Sequence, residues 1–125
     1  MSGVVNRQAA RQGVNAELTS GENVADVAGL QIAHMTLVRS PSYLGSDASR
    51  TELDQLFFKR WATVWACKMT ADEAKRKLRV DAHAPAHTRC NMAVGSVSQF
   101  YDAFGVGPHD AMYIHPADRA VMWFA

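Results

Sequence analysis

A chain of 125 residues with a formal charge of +1 has the size of one domain. With 48% hydrophobic and 20% charged residues it has the composition of a packed globular protein, and no segment approaches the roughly 20 apolar residues of a membrane span. The balanced charge removes the electrostatic case for nucleic acid or an anionic membrane, and residues 1–8 lack the pattern of a secretory signal. We therefore expect no nucleic-acid partner and no membrane contact from this chain, and its location stays unknown.

The first half of the chain predicts a lead-in followed by two helices. Residues 1–20 carry little periodic apolar pattern and are interpreted as irregular. Residues 22–38 are apolar on more than one side, which predicts a buried helix, with Thr19 and Glu22 placed as a capping box. Residues 39–50 are interpreted as a linker, and a second helix is predicted from near Thr51, with Asp54 in the position of a capping-box carboxylate.

The second helix has an aromatic-rich stripe at spacings of three and four residues, which requires a partner surface. The stripe consists of Leu53, Leu56, Phe57, Trp61, Val64 and Trp65.

The second half of the chain predicts two shorter helices around a polar loop. Thr70 and Glu73 form a capping pattern for a third helix that runs to about Arg79. Residues 80–94 are interpreted as a loop, and a fourth helix is predicted from Ser96 to Gly105. The tail alternates turns with short apolar pieces at 111–114 and 120–124. The fold class is therefore mostly α, with four helices and irregular connectors.

Glu22 and Asp26 are four residues apart, so their carboxylates project from one helix face. Glu22 is a candidate zinc ligand, and Asp26 is a candidate for orienting a metal-bound histidine through its second ring nitrogen. The alternative is structural, because Glu22 also fits the capping box with Thr19.

Asp81, His83 and Arg89 form a candidate donor array in the polar loop. A carboxylate can hold an imidazole, and a guanidinium can hold a carbonyl or carboxylate. Alternatively, His83 is solvated, Asp81 begins a turn and Arg89 forms a structural ion pair. The other histidines show no ligand spacing and are interpreted as structural or exposed.

Four ordered blocks resemble the C-terminal end of the neprilysin and endothelin-converting-enzyme family of zinc metallopeptidases. Residues 21–30 (GENVADVAGL) resemble the family's Gly-Glu-Asn-Ile-Ala-Asp segment, and residues 56–58 with Val64-Trp65 resemble its Leu-Phe-Phe and Val-Trp pieces. Residues 81–85 (DAHAP) with Arg89-x-Asn91 resemble its Asp-x-His-Ser-Pro and Arg-x-Asn stretch. The family pattern is also matched by Gln99-Phe100, Phe104 and residues 116–123. The resemblance therefore covers about residues 14–123.

The resemblance implies the C-terminal helical portion of a thermolysin-like catalytic domain, of which this chain is one partial domain. It implies that Glu22 is a ligand of one zinc ion and that Asp26 supports a zinc histidine. It further implies that His83, beside Asp81, stabilises the oxyanion, that Arg89 holds a substrate carbonyl and that Val64 and Trp65 line the pocket after the scissile bond. The substrate would be a peptide, hydrolysed by zinc-activated water.

Two departures from the family pattern matter. No His-Glu pair occurs in the 125 residues, so the His-Glu-x-x-His helix with two zinc ligands and the general base is missing, and we expect an upstream segment as partner. Ala120 stands where animal members carry a cysteine, and Val106 stands near the position of another, which resembles the cysteine-poor microbial members. We therefore expect Cys67 and Cys90 to be free thiols.

The sequence thus predicts a segment of a zinc metalloendopeptidase that is inactive in isolation. An inactive peptide-binding or regulatory remnant, or a truncated gene product, is the alternative. A generic helical interaction module is a third possibility, which requires the four-block resemblance to be accidental. The parent family is often membrane-anchored or secreted.

Overall fold

The computed structural model describes residues 2–122. Trp123, which closes the resemblance, and the last two residues of the apolar piece at 120–124 lie outside the described residues. Within residues 2–122 there are helices and no β-strand, which confirms the predicted mostly α class. The α-helices are α1 (Ser2–Arg11), α2 (Ala16–Leu37), α3 (Pro41–Leu44), α4 (Arg50–Val64), α5 (Ala71–Val80), α6 (Ala86–Val94) and α7 (Ser98–Phe104), and a 3-10 helix spans Pro116–Asp118. No helix in this part of the chain combines the length and the apolar character that a bilayer crossing requires.

The predicted irregular lead-in at residues 1–20 is wrong, because α1 and the first turns of α2 occupy it. Val5 and Ala9 lie four residues apart and are fully buried, so α1 has a narrow apolar face made partly of small residues. Gly13 follows α1 with a φ of +74°, a left-handed conformation that favours glycine. A face this short gives too little periodic signal to be recognised.

The capping box predicted from Thr19 and Glu22 is also wrong. Asn15 is the N-cap of α2 and accepts a hydrogen bond from the Leu18 N–H. Thr19 lies inside the helix, where its hydroxyl donates to the carbonyl of Asn15. The capping explanation of Glu22 therefore does not hold, because Glu22 is one to two turns inside α2.

The linker at residues 39–50 contains α3, and α4 begins earlier than predicted. Ser49 caps α4 by accepting from the Glu52 N–H, and the Glu52 carboxylate accepts from the Ser49 N–H at 2.8 Å. This reciprocal pair is the capping box that the prediction had assigned to Thr51 and Asp54. Asp54 is thereby free for a different contact.

In the second half, the cap of α5 at Thr70 is confirmed, although the Glu73 side chain binds Arg76 instead of reciprocating. The loop predicted at 80–94 is wrong in its second part, because α6 begins after Pro85 and buries Thr88, Cys90 and the residues from Met92 to Val94. Helix α7 begins at Ser98 without a side-chain cap and ends at Gly105 as predicted.

The described helices form two packing groups that meet at α6. Helix α2 packs against α1 and α6, whereas α4 packs mainly against α7 and touches α6. The core between them includes Val5, Ala9, Val27, Leu30, Phe58, Met92, Ala93, Val94, Val97 and Ala103. This arrangement brings the start of α2, the end of α4 and the start of α6 to one side of the molecule.

Candidate metal and substrate site

The two carboxylates of α2 have different environments although they are one turn apart. The Asp26 side chain is only 9% exposed, and the Glu22 side chain is 43% exposed. Glu22 can therefore reach a ligand in solvent, whereas Asp26 must be compensated inside the protein.

Arg89 of α6 supplies that compensation. Its Nε and Nη2 donate to the two oxygens of Asp26 at 2.5 and 2.8 Å, a bidentate pair between α6 and α2. Nη2 also lies 3.4 Å from Glu22 Oε2, and the guanidinium stacks 4.5 Å from the Trp65 ring centroid. The bonds to Asp26 raise the pKa of Arg89 above its ordinary value. Arg89 thus connects α2, α4 and α6.

His83 is held in the turn between α5 and α6 by Asp81. The Asp81 Oδ1 accepts from the His83 backbone N–H at 2.9 Å and from its Nδ1 at 2.8 Å. These bonds, the backbone one first, hold the pKa of Asp81 below its usual range. The Asp81 carboxylate favours a proton on Nδ1, and the other ring nitrogen, Nε2, lies 3.3 Å from Glu22 Oε2.

An open groove runs from this cluster between α5 and α6. It is lined by four of the predicted site residues and by residues of α5: Trp65, Asp81, His83, Arg89, Lys77 and Leu78. Val64 is absent from the lining and its side chain is 74% exposed. Six of the seven predicted residues, all except Val64, therefore lie in or beside one cluster.

Arg89 forms an ion pair, as the structural alternative in the sequence analysis had it, but its partner was not anticipated. Asp26 was expected to orient a histidine, yet within residues 2–122 it binds Arg89. A second contact was also not anticipated. Trp61 donates from Nε1 to the Cys90 carbonyl at 3.2 Å and so fixes the end of α4 on α6. The sequence gives no signal for either contact, because Trp61 and Cys90 are 29 positions apart and Asp26 and Arg89 are 63 apart. Each pair joins two helices, and the sequence does not reveal how those helices are oriented.

The residues present fit a metal ion only in part. Glu22 offers an accessible carboxylate oxygen of the type that zinc accepts. No group of three or more His, Cys, Asp or Glu side chains within residues 2–122 could hold a metal ion. This part of the chain can contribute one ligand and not a complete site.

Known proteins with similar sequence and structure define the class of this chain. The model of peptidase family M13 matches residues 2–120. Neutral endopeptidase of Lactobacillus helveticus is 34% identical over 110 residues, covering 88% of this chain and 16% of that protein. Human endothelin-converting enzyme-like 1 is 34% identical over 119 residues, which cover 90% of this chain and 15% of that protein. A cryo-EM structure shows the zinc metalloprotease ZMP1 of Mycobacterium tuberculosis in an open state. It superposes on this chain with a TM-score of 0.74 at 35% identity, and the match covers 89% of this chain and 17% of that one.

The chain therefore belongs to peptidase family M13. The predicted resemblance to neprilysin-like metallopeptidases is confirmed, and the reading as an unrelated helical module is excluded. The chain spans about one sixth of the length of these relatives.

Proposed function

We propose that this chain is the part of a zinc metalloendopeptidase that supplies the third zinc ligand and the residues that hold the substrate peptide. The proposal depends above all on one observation: Glu22, Asp26, Asp81, His83 and Arg89, chosen from separate stretches of sequence, form one continuous network beside a groove. The two histidine ligands and the general base would come from a segment outside these 125 residues.

Glu22 is the residue that would contribute to the zinc site, since its oxygen is accessible and negatively charged. When bound, zinc would polarise the peptide carbonyl and activate water. Asp26 would keep Arg89 in place, because both of its oxygens are bound by that guanidinium.

His83 and Arg89 would act directly on the peptide. The imidazole is oriented by Asp81 and has its Nε2 3.3 Å from Glu22 Oε2; in its doubly protonated, imidazolium form it would donate from Nε2 to an oxyanion that develops beside Glu22. Nη1 of Arg89 makes no hydrogen bond to any described residue and would hold a backbone carbonyl. Trp65 would contact an apolar side chain after the cleaved bond, and the same role is proposed for Val64 once an upstream segment covers it.

The chain on its own tests the first part of the proposal. It should bind zinc weakly and cleave no peptide, because one carboxylate does not replace three protein ligands and a base. Metal analysis and a fluorogenic-peptide assay measure both properties. Stoichiometric tight zinc or chelator-sensitive cleavage by the pure chain would contradict this account.

Complementation tests the residue roles. Together with an upstream segment containing His-Glu-x-x-His, Glu22→Gln should weaken zinc binding, whereas His83→Ala and Arg89→Ala should retain zinc and lower cleavage about a hundredfold. Glu17→Gln, His109→Ala and Arg79→Ala change the same residue types at exposed positions and should behave like the parent chain. Loss of zinc in His83→Ala would show that its role is different.

The alternative function is that of a peptide-binding remnant without catalysis, for which the groove beside Arg89 and Trp65 would be the binding site. It predicts that peptide binding in the groove depends on Arg89 and Trp65 while no upstream segment restores cleavage. The complementation experiment separates the two functions.

A further inference from the structure

A buried polar cluster lies away from the groove, where α2, α3 and α4 meet. Asp54 Oδ1 accepts from His34 Nε2 at 3.0 Å and from the Tyr43 hydroxyl at 3.1 Å. His34 is on the last turn of α2, Tyr43 on α3 and Asp54 on the first turns of α4. One carboxylate oxygen therefore joins three helices.

The cluster is enclosed by aromatic rings. The His34 side chain is 5% exposed and the Asp54 side chain 14%. The His34 ring stacks on Phe58 with a centroid distance of 5.7 Å and meets the edge of Phe57 at 5.3 Å. Burial and the bond to Asp54 raise the pKa of the Tyr43 hydroxyl. In such surroundings each polar partner is needed, because removing one leaves another buried without compensation.

The His34–Asp54–Tyr43 cluster holds one end of α4, and the other end of α4 reaches the Arg89 site. The main packing of α2 is on α1 and α6, and that of α4 is on α7, so the cluster is a direct side-chain link between α2 and α4. The opposite end of α4 carries Trp61, bound to α6, and Trp65, stacked on Arg89. Since α4 is a rigid rod of 15 residues, fixing one end against α2 restricts where the other end lies.

We infer that His34, Asp54 and Tyr43 are positioning residues, which set the orientation of α4 and thereby place Trp65 over the Arg89–Asp26 pair. This inference rests on the proposed function for its consequence in catalysis. The coupling between the cluster and the Trp65–Arg89 stack is structural, and it does not depend on zinc or on cleavage.

The side-chain NMR signals of the 125-residue chain provide the test. Arg89 Nε–H and the Trp65 indole N–H give separate resonances that report the stack. His34→Leu should shift both signals, whereas His34→Gln, whose amide N–H reaches about as far as Nε2, should keep them near their original positions. Tyr43→Phe, which removes only the hydroxyl, should shift them in the same direction by less.

Gln8→Met is the matched control, because it removes a part-buried hydrogen bond from the Gln8 side chain to the Asp118 carbonyl without touching α4. It should lower stability and leave both resonances in place. Unchanged Arg89 and Trp65 signals in folded His34→Leu would overturn the inference. If that variant does not fold, unchanged signals in Tyr43→Phe would do so.

In the complemented peptidase, Tyr43→Phe should raise KM several-fold with little change in kcat, since the misplaced groups bind substrate. A fall in kcat alone would contradict the positioning role. Shifted resonances together with an absence of cleavage in every complemented chain would support the coupling and contradict the proposed function, so the two failures are distinguishable.

Discussion

At the scale of single residues, burial decides which charged pairs matter. Residues 2–122 contain two Arg–carboxylate pairs with two hydrogen bonds, Arg89–Asp26 between helices and Arg76–Glu73 within α5. The Arg89 and Asp26 side chains are 16% and 9% exposed, whereas those of Arg76 and Glu73 are 61% and 38% exposed. Water and salt therefore screen the second pair far more than the first.

Asp26→Asn should accordingly lower the free energy of unfolding by about 3 kcal/mol, because it leaves the Arg89 charge with only the longer contact to the half-exposed Glu22. Urea unfolding followed by circular dichroism measures the change. Glu73→Gln is the control with the same loss of charge and should leave the urea midpoint nearly unchanged. Equal midpoint shifts in the two variants would mean that the interhelical pair contributes no more than the surface pair.

The two cysteines differ in the same way. Both are free thiols in the structure, Cys67 exposed and Cys90 buried, and burial raises the pKa of Cys90. A raised pKa means that the reactive thiolate of Cys90 forms only at higher pH, so at pH 8 iodoacetamide should modify Cys67 first. Peptide mass spectrometry over time measures both rates, and full denaturation should make them similar. Equal rates in the folded chain would contradict the burial of Cys90.

At the scale of helices, the start of α4 provides a direct comparison between the predicted and observed caps. Ser49→Ala removes the observed capping box and should lower the free energy of unfolding by about 1 kcal/mol. Thr51→Ala removes the cap that the sequence pattern had favoured, although Thr51 lies inside the helix, and should change stability little. Thermal denaturation of the two variants measures the difference, and a larger loss in Thr51→Ala would place the helix start at Thr51.

The helices that could be predicted are those with a strong apolar stripe or an unambiguous end. The body of α2, α4, α5 and the end of α7 at Gly105 fall in this group. Helices α1 and α6 could not be predicted, because several of their buried positions are filled by small or polar residues such as Ala9, Gln8 and Thr88, which weaken the periodic apolar signal. The candidate site could be chosen from resemblance, whereas the Asp26–Arg89 pairing depends on how α2 and α6 pack.

At the scale of the whole molecule, the aromatic stripe of α4 is only partly covered. Phe58 is buried and packs against Phe100 and Phe104 of α7. Leu56 and Val64 are 53% and 74% exposed, and Val80 at the end of α5 is 63% exposed. Exposed apolar side chains of this size promote association.

The chain should therefore bind an apolar-surface dye and associate as its concentration rises, and both effects should diminish when an upstream M13 segment covers the surface. Replacing Leu56 and Val64 with serine should reduce dye binding in the chain alone without lowering the thermal midpoint, since neither side chain is in the core. The upstream segment should raise the thermal midpoint, because binding to the folded state stabilises it by mass action. Dye fluorescence, sedimentation velocity and thermal melts measure these effects, and a monomeric chain with no dye binding would instead indicate that its own helices are sufficient to cover its apolar surface.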